Sequence, residues 1–236
     1  MMPSDARRND SGSSPKVVAP PDVVDRAREV SLRATSPQRY SSVAKYFAID
    51  SNYAGALFLG VEPNAPDRFT PTDLFAVSSL SVNIPARGAR RLLQEAHDEH
   101  DPIKKLKDLT TTRLEDAKGA DLEVMADFHH SVKKTLRRHG AKSSNAWVTA
   151  AKLCARKRPH LFPVRDRRVS EFLGFHTGMT LVEEYAVYRS LMNDHEVRRA
   201  LEHLEEELRG REIQDGLILE GVPLRLLDAA LWMLGE

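Results

Sequence analysis

Between Lys152 and Val169 the chain reads KLCARKRPHLFPVRDRRV, seven Lys or Arg in eighteen residues with one acid, Asp166, among the arginines. Guanidinium groups offer paired N–H donors that match phosphate oxygens, and ammonium groups add compact positive charge. Lys152, Arg156, Lys157, Arg158, Arg165, Arg167 and Arg168 are therefore candidate nucleic-acid contacts. The competing reading is a solvated basic face whose arginines pair with nearby glutamates. Asp166 has two compatible roles. At a helix start it caps, accepting a backbone hydrogen bond worth about 1 kcal/mol. Beside arginines it also suits stabilising a developing cation or orienting a water, rather than donating a proton.

These residues need elements to hold them. A helix capped by Ser144 or Asn145 should run to about Arg158, with Trp147, Ala150, Ala151 and Cys154 on one face. Pro159 stops it. Pro159 to Arg165 then crosses to Asp166, which opens a short helix bearing Val169, Phe172 and Leu173 before Gly174. Upstream, Leu122 to Arg138 is helical, with Leu122, Met125, Phe128, Val132 and Leu136 inward, and His139-Gly140 ends it.

The flanking chain reads as more helix. One begins near Pro21-Asp22 and ends at Ser36-Pro37, with Val23, Val24, Ala27, Val30 and Leu32 on one side. A short helix holds Val43, Tyr46 and Phe47. Tyr53 to Val61 fits a short strand or a buried loop. Thr70 caps a helix with Pro71 in its first turn, burying Leu74, Phe75, Val77, Ser78 and Leu80. Further helices cover Ala86 to His97, a short stretch after Asp101-Pro102, Thr180 to Leu191, His195 to Arg209 and Pro223 to Leu234. The His195 helix carries Glu and Arg at i,i+4 spacing and should be solvated on its outer side. No repeat of 20–50 residues is present.

Composition narrows the class. The 236 residues carry a net charge of +1, so attraction to nucleic acid must come from a local patch. The single cysteine, Cys154, excludes an intramolecular disulfide. Residues 1–21 are polar and aperiodic and read as a disordered tail without a signal core. The longest apolar run, Ala54 to Val61, is too short to cross a bilayer. The expectation is a mainly α fold, one multi-helix domain over residues 22–236, in a soluble cytoplasmic protein that does not enter membranes.

Arg156–Val169 (RKRPHLFPVRDRRV), Asp73–Pro85 (DLFAVSSLSVNIP) and Arg225–Gly235 (RLLDAALWMLG) resemble an uncharacterised bacterial family of unknown function, from about Tyr40 onward. Gly140 to Gly174 also resembles the helix-hairpin-helix segment of oxoguanine DNA glycosylase-fold proteins. There a glycine-bearing hairpin leads into a helix, an extended linker and an aspartate that opens the next helix. The resemblance implies a hairpin at Gly140–Ser144, with Lys142 and Ser144 contacting nucleic acid and Asp166 as the catalytic carboxylate. Lys142 stands where the hairpin's second glycine belongs. Ser144 stands near the nucleophilic lysine of bifunctional members, so a Schiff-base mechanism is not implied at that position. What is implied is a monofunctional glycosylase, in which Asp166 stabilises an oxocarbenium ion and positions water, or a relative without catalysis. The alternative is a non-enzymatic protein-interaction module in which the Arg/Asp cluster is structural and the His195 helix meets a protein partner.

Other groups carry less. His97 and His100, with Asp98, Glu99 and Asp101, lack converging partners for a metal site, as do His129 and His130. Cys154 shares a face with Trp147 and Ala151 and belongs to the core. Trp232, Tyr53, Phe58 and Phe75 fit either a base-stacking pocket or core packing. No phosphate loop, nucleophile elbow or HExxH is present, and no cofactor is implied.

Overall fold

The computed structural model describes residues 18–94, 101–137 and 146–236. Among them the chain is mainly helical: α1 (Pro21–Ala34), α2 (Tyr40–Phe47), α3 (Gly55–Gly60), α4 (Pro71–Ser79), α5 (Ala86–Leu93), α6 (Pro102–Asp108), α7 (Gly119–Leu136), α8 (Trp147–Lys157), α9 (Arg167–Phe172), α10 (Leu181–Asn193), α11 (His195–Asp215) and α12 (Pro223–Met233). The nearest approach to a sheet among these residues is one isolated bridge, Ala48 to Leu217. No described helix is long and apolar enough to cross a membrane. Residues 1–17 of the expected tail, and the hairpin at Gly140–Ser144, lie outside the described residues.

The helices form where caps and apolar phase coincide. Thr70 Oγ1 accepts from Asp73 N while Asp73 Oδ2 accepts from Thr70 N at 2.8 Å, a reciprocal capping box that starts α4. Thr180 and Glu183 repeat the device on α10, and Asp194 caps α11. Leu122, Met125, Phe128, Val132 and Leu136 of α7 are buried, each worth about 1.5–3 kcal/mol of transfer free energy. α7 packs along α8, α10, α6 and α5, and α12 joins α1, α11 and α2. Buried residues from Ala19 to Leu231 form one connected core.

Two expectations change. Residues 55–60 are neither strand nor loop but helix α3, which brings Phe58 into the core. The run is apolar throughout, and such a run does not separate helix from strand by period. On α4, Phe75 and Ser78 face solvent instead of the core, while Asp73, Ala76 and Val77 face inward. The helix is turned by its acid: Asp73 must meet two buried cations, and Phe75 is rotated out as a consequence.

Candidate functional site

The crossing between α8 and α9 takes its course from α12. Arg225 Nη2 donates to the carbonyls of Pro159 (3.2 Å) and Phe162. Its Nη1 pairs with Asp228 Oδ2 at 2.6 Å, and that oxygen also accepts from Val164 N at 2.8 Å. Both side chains are buried. Burial pushes the Asp228 carboxyl up to about 7, against the pull of Arg225 and the Val164 N–H. Two residues one turn apart on an apolar helix thus hold the backbone at three points just before Asp166.

Asp166 is the N-cap of α9, its Oδ1 accepting from Arg168 N at 2.9 Å. Its other oxygen, Oδ2, has no hydrogen-bond partner among the described residues. The side chain is half-buried and lines a cavity of about 340 Å³, within the size range of small-ligand pockets. Tyr46, Tyr53 and Trp232 are also in its lining. Their rings brace one another: Tyr53 meets Trp232 edge-on at 5.6 Å, and Tyr46 lies tilted at 5.8 Å. Burial, with Asp228 and Asp166 adding to it, keeps Tyr46 a neutral phenol.

Lys152 enters the same cavity from α8. Its Nζ donates to the carbonyl of Leu80 at 2.7 Å, at the turn after α4. That turn is made by Ser81, in a left-handed conformation with φ 59°. Burial lowers the Lys152 pKa, and the charge of Asp166 raises it in part. The site therefore joins a carboxylate oxygen without a partner, an ammonium and three aromatic rings.

The remaining basic residues divide sharply. Arg156 is buried and donates to the carbonyls of Phe58 (3.0 Å), Leu59 (3.4 Å) and Val61, with Asp73 Oδ1 at 3.4 Å from its Nε. Lys157 is buried and bonds Asp73 Oδ2 at 2.6 Å and Asn64 Oδ1 at 2.8 Å. Arg158 donates to Pro66 O (2.6 Å) and Leu106 O (3.0 Å). Arg165 is buried, pairs with Glu184 and lies 5.0 Å over the Trp147 ring. Burial raises the Glu184 carboxyl, and Arg165 lowers it in part. Arg167 and Arg168 are exposed, with Glu171 and Glu236 as partners. Lys142 and Ser144 lie outside the described residues. Among the described residues of the expected site, Lys152 and Asp166 share the cavity and the others do not.

Of the expected stacking residues, Trp232 and Tyr53 line the cavity, Phe58 is core and Phe75 is exposed. Tyr46 joins the site unforeseen, as do the positioning residues Arg225 and Asp228. The signal for that pair was present: an Arg and an Asp at i,i+3 inside an otherwise apolar helix must be buried and must satisfy each other. Cys154 is fully buried, and burial raises its thiol well above the usual range. His129 is buried against the Tyr185 hydroxyl at 2.7 Å. No three metal-ligating side chains converge among the described residues; His97 and His100 lie outside them.

A family model described as a family of unknown function (DUF6308) matches residues 40–235, and the chain belongs to that family. No curated protein and no solved structure matches it.

Proposed function

We propose that this chain binds nucleic acid and receives a single extruded nucleobase in the cavity beside Asp166, as a monofunctional base-excision activity. The observation that carries the reading is the pairing of Asp166, with its unpartnered Oδ2, with the Tyr46, Tyr53 and Trp232 rings in one cavity. An unstacked base presents a flat π-face and an edge of donors and acceptors. Aromatic walls supply stacking, and the Lys152 ammonium supplies a donor for a base carbonyl or ring nitrogen. Asp166 Oδ2 then stabilises positive charge that develops at the sugar C1′ and aligns a water. The C1′–N bond breaks with its electron pair on the base. Water adds to C1′ and loses a proton, and the departing base takes one up. The glycosylase-like order of helix, crossing and aspartate supports the same reading by analogy alone.

The test is release of free base from oligonucleotides carrying deaminated, oxidised or alkylated bases. Asp166→Asn is expected to lower release by at least 100-fold while the thermal transition stays close to wild type. Trp232→Ala is expected to weaken oligonucleotide binding by about 1–3 kcal/mol, the usual worth of one base–aromatic stack. Release that survives Asp166→Asn would move the chemistry elsewhere. Binding without release from any substrate would leave a non-catalytic base-binding protein.

One observation favours the second reading, a protein-interaction module with a structural Arg/Asp cluster. Asp73 is buried between Arg156 and Lys157, which accounts for much of the basic stretch without a polyanion. A protein recovered by affinity capture from nuclease-treated extract, with no affinity for oligonucleotides, would decide for it.

A further inference from the structure

Among the described residues, a cationic patch lies outside the basic stretch. α5 carries Arg87, Arg90 and Arg91, which are exposed and make no ion pair with any described residue. At i, i+3 and i+4 they share one face of the helix. α5 rests on the C-terminal turn of α7 through buried Leu92 and through Gly88, where a Cβ would come within 3.2 Å of Leu136 Cα. That turn of α7 adds Lys133, Lys134 and Arg137, exposed and likewise without an ion pair among the described residues. Helix energetics account for the α7 residues, because cations suit the negative C-terminal end. On α5 they account for Arg90 and Arg91, which lie in its last turn, but not for Arg87 in the first turn, where the helix end is positive. The three arginines have no acid between them and repel one another at i,i+3 and i,i+4. Six exposed cations on two packed helices, with no ion pair among the described residues, suit an external polyanion.

The patch also has a position. α5 follows directly on the turn whose Leu80, Ser81 and Val82 line the cavity, and α8 contributes Val148 and Lys152 to the same lining. A strand held on α5 and the end of α7 would therefore pass the segment that forms one side of the cavity.

We infer that the α5–α7 face, through Arg87, Arg90, Arg91, Lys133, Lys134 and Arg137, binds the phosphate backbone of the nucleic acid whose base the cavity receives. This rests on the nucleic-acid reading above and adds its surface. Phosphate contacts release counterions, so each one lost reduces the salt dependence of binding by a slope of about 0.9 for a duplex and 0.7 for a single strand.

The test is a titration of labelled single-stranded and duplex oligonucleotides between about 50 and 200 mM salt. It compares wild type with Arg87→Gln/Arg90→Gln/Arg91→Gln and with Arg167→Gln/Arg168→Gln. The α5 variant is expected to bind at least tenfold more weakly, with a log–log slope smaller by about two to three, and to keep the wild-type thermal transition. The Arg167/Arg168 variant is expected to change the slope by less than one. An α5 variant with wild-type affinity and slope overturns the surface while leaving the cavity reading standing. Wild-type protein that ignores oligonucleotides but binds phosphatidylserine vesicles, with loss in the α5 variant, assigns the patch to a membrane surface and overturns both. Slope loss in the α5 variant together with no base release leaves the surface standing and removes the excision activity.

Discussion

At the scale of single residues, the decisive acid in this chain is Asp73 as much as Asp166. Asp73 is fully buried and takes part in the Thr70 capping box while it receives Lys157 at 2.6 Å and Arg156 at 3.4 Å. Removing it leaves two buried cations with one carboxylate fewer, which differs from losing a surface pair. Asp73→Ala is expected to destabilise the protein by about 3–5 kcal/mol, read as a lower urea midpoint at unchanged m-value. Asp166→Ala, which removes only a half-exposed cap, should cost about 1 kcal/mol. Equal midpoints for the two variants would show that the Asp73 cluster is not bracing the fold. The contrast also shows what the residue pattern could disclose. Asp166 was legible because Pro159, the arginines and the following apolar face mark a helix start within a few residues. Asp73 was legible as a helix start too, and that local explanation concealed its second role. Its partners lie 83 and 84 residues away, beyond any spacing rule.

At the scale of elements, helix positions followed from caps, prolines and apolar period, and helix orientation did not. The starts at Pro21, Pro71, Pro102 and Pro223 all lie at prolines visible in the sequence. Which face α4 turns inward depended on Asp73, and α3 could not be told from a strand because its residues are apolar on all sides. The cavity was partly legible: Tyr53 and Trp232, which the sequence left between a stacking pocket and the core, both line it. Tyr46 was not, because its place depends on α3 packing against α2. That packing has a sharp requirement. A Cβ on Gly55 would sit 2.2 Å from the Tyr46 carbonyl oxygen and 2.5 Å from its ring. Gly55→Ala must therefore push α3 from α2 or displace a wall of the cavity. We expect a loss of about 1–3 kcal/mol in stability, accompanied by weaker oligonucleotide binding. Gly210→Ala, at an exposed helical glycine with open space around it, provides the control: it should leave binding unchanged and raise stability by about 0.5–1 kcal/mol, because alanine favours the helix. A Gly55→Ala protein that matches this control would mean that the contact relaxes freely and that Tyr46 is not held in place by α3.

At the scale of the whole molecule, His129 and Asp228 tie stability to pH with opposite sign. His129 is buried on α7, and burial, aided by the charge of Arg165, lowers its pKa to about 3 from the ordinary 6.5. The unfolded chain therefore takes up a proton that the folded chain refuses. The stability this histidine permits is fully present above pH 6.5 and drains away as pH falls toward about 3. Asp228 runs the other way. Its folded carboxyl titrates near 7 and its unfolded one at 3.8, so its contribution is complete below pH 3.8 and is lost as pH rises through 7. Each slope reaches at most about 1.4 kcal/mol per pH unit, and between pH 4 and 6.5 they oppose each other. The wild-type stability should therefore change less across that window than either slope alone would make it, with the raised Glu184 carboxyl adding to the Asp228 side. His129→Leu should uncover the Asp228 slope and become less stable as pH rises. Asp228→Asn should uncover the histidine slope and become more stable as pH rises, whatever its overall loss from leaving Arg225 with a weaker partner. Urea unfolding of the three proteins at pH 4.5, 5.5 and 6.5 separates these outcomes, because the sign of the slope is independent of how much each substitution destabilises. A His129→Leu profile parallel to wild type would mean that the histidine is protonated inside the fold. Because Asp228 also holds Val164, its protonation on the acid side weakens the bond that sets the backbone before Asp166. On the proposed function, oligonucleotide binding should accordingly be more sensitive to pH near 7 in wild type than in Asp228→Asn.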